Sequence, residues 1–323
     1  MYKHLITSLL VFLFLFAGCK TKDNSTKTDA AKTETNIEET TIEVVPDKSY
    51  VFPYNFAEPT QKQKMPNELD ELSGLDFLGG TLFACIQDEK ANVYIYNFET
   101  DEVTSDVDFG KNGDFEDVEV VGKEIWVLRS DGDLYQIMNF NTDEQEVEKY
   151  ETHLSTSNDA EGLCLDASKQ NLLVACKGKA HDDPKWDNYK AVYSFNLSTK
   201  ELSPNPLFAI SLDSLSKHLA KDKNKELLNR VAKFFNPASG DLTFQPSGID
   251  VHPITKEIYL IATAGKLLVI MDASGKQIVH IEPLDPDVFK QPESICFMAN
   301  GDLYIGNEAR GGKANILKFG MAK

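Results

Sequence analysis

One short segment that recurs five times constrains the fold more than any other feature of this chain. The copies are ELSGLDF at 71–77, DFEDVEV at 114–120, DAEGLCL at 159–165, QPSGIDV at 245–251 and QPESICF at 291–297. Their third residues lie 43, 45, 86 and 46 positions apart, so the long interval is twice the first. A period near 44 residues indicates a repeat architecture in which each unit buries its apolar face against the next.

Each copy is followed by further short β-type runs separated by Gly-, Asn- and Asp-containing turns, for example TLFACI and NVYIYNF after the first. Four antiparallel strands per unit at this spacing are typical of the blades of a β-propeller. The last unit contains only three such runs, and an open edge would leave unpaired backbone groups. We therefore expect the segment 49–56 to supply the missing strand and close the ring.

The long interval leaves two interpretations, a five-bladed or a six-bladed propeller. Leu212, Leu215, Leu219 and Val231 recur at helical rather than strand spacing within 211–238. This favours a helical insertion in the third unit. The sequence thus predicts an all-β, five-bladed propeller with a helical insertion at about 211–238, and six blades remain the alternative.

The amino-terminal residues predict export and lipidation. A basic start and an apolar run over 5–16 end in Phe16-Ala17-Gly18-Cys19, which resembles a bacterial lipoprotein signal. The run is shorter than the roughly 20 residues of a membrane-spanning helix. An ordinary secretory signal with an incidental cysteine is the alternative interpretation.

This reading divides the chain into three parts. Residues 1–18 are a signal peptide, and 19–49 comprise the lipidated Cys19 and a polar, disordered tether. Residues 50–323 form the propeller, with the apolar patch 42–45 as the first contact with the fold. We expect a protein of the cell envelope, anchored by lipid to the outer membrane of a Gram-negative bacterium and facing the periplasm or the surface.

Charge and cysteine content exclude several classes of function. The net charge of −18 disfavours nucleic acid as a partner, because the phosphate backbone would be repelled. No CxxC pair occurs among the five cysteines, which argues against a zinc or thioredoxin-like site. The four cysteines after Cys19 lie in apolar runs and are expected to be buried thiols, although a Cys164–Cys176 disulfide is an open alternative.

The recurring third position points to a candidate site. In a propeller the first strand of each blade lines the channel, so these residues would ring one end of it, which we call the mouth. Three of the five are glutamates, preceded in two blades by aspartates. Carboxylates that converge need an offsetting charge, and Ca²⁺ takes six to eight oxygen ligands. The predicted calcium ligands are Glu116, Glu161, Glu293, Asp114 and Asp159.

Other residues at the same end of the blades would contact a ligand. They are Ser73, Ser247, Asp88, Arg129, Lys177, Asn307, Glu308 and Arg310. Two alternatives to a metal remain open. The basic residues of this set would pair with the carboxylates, or the glutamates would accept hydrogen bonds from loop amides.

Taken together, the repeats resemble the SdiA-regulated (YjiK-like) family of exported bacterial propellers. The segments 71–98, 115–137, 158–166, 245–262 and 291–319 carry the resemblance, which spans about 69–319. It implies a five-bladed propeller with a calcium site, carried over to Glu116, Glu161 and Glu293, and an interaction role of undefined partner.

Two functions follow from these patterns. The first is a non-enzymatic, lipid-anchored module that binds a protein or small molecule, with a divalent cation at the mouth. The second is a metal-dependent hydrolase of lactonase or phosphoesterase type, in which the metal activates water. Because propellers carry both kinds of function, the fold alone does not decide between them.

Overall fold

The structure, a computed structural model, describes residues 43–44, 50–221, 229, 235–236 and 241–322. The signal peptide 1–18, Cys19 and most of the tether lie outside this part of the chain. Two short strands come first, β1 (Glu43–Val44) and β2 (Gln61–Lys64), followed by a 3-10 turn over Asn67–Leu69. With β1 and β2 at two outer edges, the described strands form five mainly antiparallel sheets, as the repeat predicts, and one separate two-stranded sheet.

The first three blades follow the repeat in chain order. Blade 1 contains β3 (Leu72–Gly79), β4 (Leu82–Gln87), β5 (Asn92–Asn97) and β6 (Glu102–Asp108). Blade 2 contains β7 (Phe115–Val121), β8 (Glu124–Arg129), β9 (Leu134–Met138) and β10 (Glu146–Tyr150). Blade 3 contains β11 (Ala160–Leu165), β12 (Asn171–Cys176), β13 (Tyr189–Asn196), β14 (Glu201–Leu202) and β15 (Phe208–Ser211), with a 3-10 turn at Pro184–Trp186.

The insertion and the last two blades follow. Helix α1 spans Leu212–Lys221, and β16 (Phe235–Asn236) pairs with β17 (Asp241–Leu242). Blade 4 contains β18 (Gln245–Val251), β19 (Ile258–Ala264), β20 (Leu267–Met271) and β21 (Gln277–Pro283). Blade 5 contains β22 (Pro292–Phe297), β23 (Leu303–Asn307) and β24 (Asn315–Phe319).

The innermost strands close a ring of five. β3 contacts β7, β7 contacts β11, β11 contacts β18, β18 contacts β22, and β22 contacts β3. Because β11 and β18 touch directly, the long interval in the repeat does not hold a sixth blade. The described residues also form five apolar clusters, each built from two neighbouring blades, so the core lies between the blades.

The strand that closes the ring is not the expected one. β2 pairs with β24 as the outermost strand of blade 5, whereas residues 50–56 of the predicted segment form no strand. The aromatic side chains of that segment instead pack on the cluster between blades 4 and 5, with Tyr54 and Phe56 buried. The polar sequence of β2 suits an exposed outer strand, and the aromatic segment gains more from burial.

The helical insertion is confirmed where it is described. Helix α1 begins directly after β15, and Leu215 and Leu219 are buried in the cluster between blades 3 and 4. The rest of 211–238 lies outside the described residues, apart from position 229 and β16. The predicted contact of 42–45 with the fold is confirmed at β1, which pairs in parallel with β21 on the outer edge of blade 4.

The cysteines in the described part of the chain are all buried and free. They are Cys85, Cys164, Cys176 and Cys296. Cys176 lies opposite Ala160 and Cys164 lies opposite Leu173, so the two thiols of blade 3 do not face each other. The prediction of four buried thiols is confirmed.

The innermost strands approach one another closely because their fourth repeat position is small in most blades. A Cβ atom added to Gly74 would lie 2.7 Å from Cα of Asp117 in the next blade. Asp117 occupies the same repeat position in blade 2, and its carboxylate connects blade 2 to blade 3. It accepts hydrogen bonds from the amides of Val118 at 2.9 Å and of Leu163, in blade 3, at 2.7 Å.

A second set of carboxylates lies at the sixth repeat position and satisfies backbone amides along the channel. Asp76 accepts from Val120 N of the next blade at 2.8 Å, and Asp250 accepts from Phe297 N of the next blade at 2.8 Å. Glu119 accepts from the amide of Leu165. The innermost strand of each blade has an unpaired edge, and these amides belong to it.

Two blades carry cysteine, Cys164 and Cys296, at the sixth position and supply no carboxylate to their successors. In both cases the succeeding blade satisfies its own amide. Asp250 accepts from Val251 N at 2.6 Å, and Asp76 accepts from Phe77 N at 2.6 Å. Three carboxyl groups thereby accept hydrogen bonds from the amides of all five residues at the seventh repeat position. These bonds account for the order Asp, Glu, Cys, Asp, Cys at the sixth position around the ring.

Because Asp250 serves two amides, we expect Asp250→Asn to destabilise the propeller by about 1–3 kcal/mol, since a carboxamide NH₂ cannot accept and leaves one buried amide unpaired. Thermal unfolding should show a decrease in Tm of roughly 2–4 °C for each kcal/mol. Asp143→Asn, the same change at an exposed site, is the control. Equal Tm values for the two variants would contradict the proposed role of Asp250.

Candidate functional site at the channel mouth

The five residues that define the repeat share one backbone feature. The register between the first and second strands shifts at Ser73, Glu116, Glu161, Ser247 and Glu293, which makes each the extra residue of a β-bulge. A bulge takes its residue out of the regular ladder and re-aims the side chain, and bulges are frequent next to functional sites. The mouth is therefore a ring of five bulges.

Glu161 is at the centre of the charged part of the mouth. Its side chain is buried, with 6 % of its surface exposed, and Oε1 lies 2.5 Å from Nζ of Lys177 at the end of β12. The same ammonium group lies 3.8 Å from Asp159. The charge of Glu161 raises the pKa of Lys177 despite burial, which works in the opposite direction. Lys177 is thus held as a cation among these carboxylates.

One ammonium group does not neutralise this part of the mouth. Burial and the charges of Glu161 and Asp114 raise the pKa of Glu116 to about 9. Burial raises the pKa of Glu161 to about 7 against the opposing effect of Lys177. Burial also raises the pKa of Glu293, although Lys177 opposes it. The carboxylates of three blades therefore compete for one cation, and Glu116 and Glu161 retain protons near neutral pH.

The two serines of the ring bind to the backbone of the neighbouring blade. Ser73 donates to the carbonyl of Phe115 at 2.9 Å, and Ser247 donates to the carbonyl of Pro292 at 2.7 Å. Each of these carbonyls directly precedes a mouth glutamate, Glu116 or Glu293. The serines therefore hold those bulges in place, and their role as ligand-binding residues stays a prediction.

A second acidic group lies between blades 1 and 5. Burial and a hydrogen bond shared with Glu71 raise the pKa of Glu308 to about 8, and Glu308 also accepts from Gln291. Burial and the charge of Glu71 raise the pKa of Asp88, whose Oδ1 has no hydrogen-bond partner among the described residues. Asn307, the last residue of β23 in blade 5, is fully buried, and within the described part of the chain its Oδ1 also has no hydrogen-bond partner.

The two predicted arginines differ in their surroundings. Arg129 is paired within its own blade, with Asp131 at 2.5 Å and Asp133 at 2.6 Å, and it lies over the ring of Tyr135. The charge of Arg129 is therefore offset largely by these two aspartates and not by the mouth glutamates. Arg310 is exposed and borders an open cleft between blades 4 and 5.

The arrangement of oxygens leaves the metal prediction open. Among the described residues, no three Asp, Glu, His or Cys side chains are placed to hold a metal ion as they stand. Lys177 occupies the position between Glu161 and Asp159 that a cation would share. Calcium binding at Glu116, Glu161 and Glu293 would require Glu161 to turn away from the ammonium group of Lys177.

Sequence reasoning missed the carboxylates at the sixth position and the buried Lys266. Asp76, Glu119 and Asp250 recur three residues after the mouth position, so the same alignment of repeats contained the signal. Burial raises the pKa of Asp76 to about 7, and it raises the values for Glu119 and Asp250 well above their usual range. Lys266 gave no such signal, because it lies in the turn between β19 and β20 and not in the recurring segment.

Comparison with known proteins identifies the fold. The crystal structure of Myxococcus xanthus glutaminyl cyclase is similar over 82% of this chain and 96% of that chain, at 11% identity and a TM-score of 0.51. A luciferin-regenerating enzyme is similar over 77% of both chains, at 13% identity and a TM-score of 0.46. At these identities the likeness concerns the fold alone.

Sequence comparison does not assign a family. No protein-family model matches the chain, and no curated protein matches it. The resemblance to SdiA-regulated propellers therefore stays a prediction. Within the described residues, the single α-helix is too short to cross a membrane.

The raised pKa values predict that stability falls as pH rises. A carboxyl group whose pKa is higher in the folded than in the unfolded state stabilises the fold only while the folded state keeps its proton. For Glu116 this contribution is lost between its ordinary value of 4.5 and about 9. We expect Tm to decrease from pH 6 to pH 9, and Glu116→Gln to reduce that decrease.

The control for this measurement is Glu102→Gln, at an exposed position on the outer strand of blade 1. It should leave the pH dependence of Tm as in the wild type. A Tm that is constant from pH 6 to pH 9, or that is equally pH-dependent in Glu116→Gln, would contradict the assignment.

Proposed function

We propose that this protein is a non-enzymatic binding module of the bacterial cell envelope that takes up a cationic group at the channel mouth. The observation that carries this is the excess of carboxylates over cations there. Glu116, Glu161 and Glu293 lie close enough to Lys177 for its charge to lower the pKa of each. A further positive charge would relieve the repulsion among them and displace the protons they retain.

Lys177 acts in this proposal as a built-in competitor for the cation. Its ammonium group contacts Glu161 and approaches Asp159, while Glu116 has no ion pair with any described residue. A bound cation would pair with Glu116 first and draw in Glu161 and Glu293, with Asp114 and Asp159 at its edge. Calcium and an organic ammonium ion share the required charge. They differ in that calcium also needs six to eight oxygens.

The anchoring of the module is proposed from the sequence. Cys19 would carry the lipid, and the polar segment up to residue 49 would connect it to β1 and the propeller. The protein would then face the periplasm or the cell surface from the outer membrane. The acidic surface disfavours nucleic acid, and we propose a small molecule or a protein as the partner.

Calorimetric titration with calcium, and separately with putrescine as an organic diammonium ion, tests the cation site. The wild type should bind at least one of them, more tightly as pH rises from 6 to 9. Glu116→Gln and Glu161→Gln should each weaken binding about tenfold or more, equivalent to ~1.4 kcal/mol. Lys177→Met should strengthen binding, because it removes the competing ammonium group.

Glu102→Gln is the matched control and should bind as the wild type does. If neither calcium nor putrescine binds to the wild type, the proposed cation site is wrong. If calcium binds, a screen with lactones and phosphoesters tests the alternative of a metal-dependent hydrolase. Calcium-dependent turnover that is lost in Glu116→Gln would replace the binding role with that activity.

The lipid anchor has its own test. Cys19→Ser should abolish labelling with radioactive palmitate and move the protein from the membrane fraction to the soluble fraction. Phe16→Leu, which brings the segment closer to the usual lipoprotein signal, should remain labelled and membrane-bound. A Cys19→Ser variant that is still labelled and remains in the membrane fraction would show that this cysteine is not the anchor.

A further inference from the structure

A cleft of opposite charge lies beside the acidic mouth, between blades 4 and 5. It encloses about 650 Å³, within the roughly 300–1,000 Å³ typical of small-molecule sites. Its lining contains three cationic side chains and no carboxylate. The lining residues are Thr243, Thr263, Ala264, Gly265, Lys266, Pro286, Lys290 and Arg310.

The three cations of the cleft have no carboxylate partner among the described residues. The recorded ion pairs involve other bases, such as Lys177 with Glu161 and Lys313 with Asp70, and none involves Lys266, Lys290 or Arg310. In a chain of net charge −18, carboxylates are abundant. A cluster of basic side chains without carboxylate partners is therefore unexpected for this composition. Glu293 is near enough to affect Lys266 without forming an ion pair with it.

Lys266 is held rigidly in the wall of the cleft. It follows Gly265 in the turn between β19 and β20, and only 6 % of its surface is exposed. Its Nζ donates to the carbonyl of Lys290 at 2.7 Å, which leaves two of its three N–H groups for other partners. A Cβ atom on Gly265 would lie 2.1 Å from the carbonyl oxygen of Thr243, so the turn requires glycine.

The burial of this ammonium group has an energetic consequence. Burial lowers the pKa of Lys266 to about 8, and the neighbouring Arg310 contributes in the same direction. A buried charge without a counterion is unfavourable, and an anion in the cleft would offset that cost. Arg310 offers a planar donor pair for two oxygens, and Thr243 and Thr263 lie in the same lining.

We propose that this cleft binds the carboxylate or phosphate group of a small organic ligand, with Lys266, Lys290 and Arg310 as the cationic donors. The site is separate from the cation site at the mouth and stands if that proposal fails. The two are neighbours, because Thr263 lines the cleft and its hydroxyl group donates to the carbonyl of Pro292, directly before Glu293. A ligand that carries both charges could therefore contact both sites.

Calorimetric titration of the purified full chain, in buffer containing a chelator to remove divalent cations, tests the proposal. Inorganic phosphate and succinate serve as probes at matched ionic strength. The wild type should bind at least one of them, and Arg310→Gln and Lys290→Gln should each weaken binding about tenfold. Binding of phosphate alone would identify a phosphate group as the ligand, and binding of succinate alone would identify a carboxylate.

Lys313→Gln, which removes an exposed ammonium group that pairs with Asp70, is the matched control. It should bind both probes as the wild type does. The proposal is wrong if neither anion binds to the wild type, or if Lys313→Gln weakens binding as much as Arg310→Gln. Arg310 and Lys290 are exposed, so these variants should fold even if changes to the buried Lys266 do not.

Discussion

The fold depends on hydrogen-bond acceptors for the backbone amides at the channel-facing edge of the five innermost strands. Each of these strands pairs with a neighbour on one side only, so its other edge presents backbone amides that need acceptors. Asp76, Glu119 and Asp250 supply them along one level of the ring. Most of these bonds run from one blade to the next, so the same carboxylates that satisfy the edge also fasten the blades together. The apolar clusters between blades then stabilise an arrangement whose register is already set.

The charges at the mouth follow from the bulges, each of which places an extra residue near the start of an innermost strand. A bulge side chain has no place in the core of its blade, and three of the five carry a charge that the surrounding protein only partly offsets. Lys177 supplies one counterion for three glutamates. In the cleft between blades 4 and 5, Lys266, Lys290 and Arg310 form the opposite case, an excess of cations over carboxylates. Excess charge of both signs is therefore concentrated at one end of the molecule, near Glu293 and Thr263.

The sequence predicted the fold well because the signal was repeated. Five copies of one segment reveal the innermost strands, and the helical spacing after Ile210 distinguishes an insertion from a sixth blade. An N-terminal strand closes the ring as predicted, but the segment was predicted wrongly, since Tyr50–Phe56 has strong β propensity whereas the polar β2 has little. The alternative that basic residues pair with the mouth carboxylates holds for Lys177 and Glu161, whereas the hydrogen bonds of the two serines were not predicted. That Ser73 would donate to the carbonyl of Phe115 depends on how one blade fits against the next, which no spacing within one repeat contains.

The position of β1 determines how the propeller would respond to mechanical load. This strand pairs with β21 at the outer rim of blade 4, four strands away from the channel. Tension applied through the preceding segment would act first on two residues of parallel pairing. That short contact would detach before force reached the inner ring, so the loss of β1 from the sheet would protect the blades from unfolding. The channel and the sites beside it would keep their shape while the connection to the amino-terminal segment lengthened.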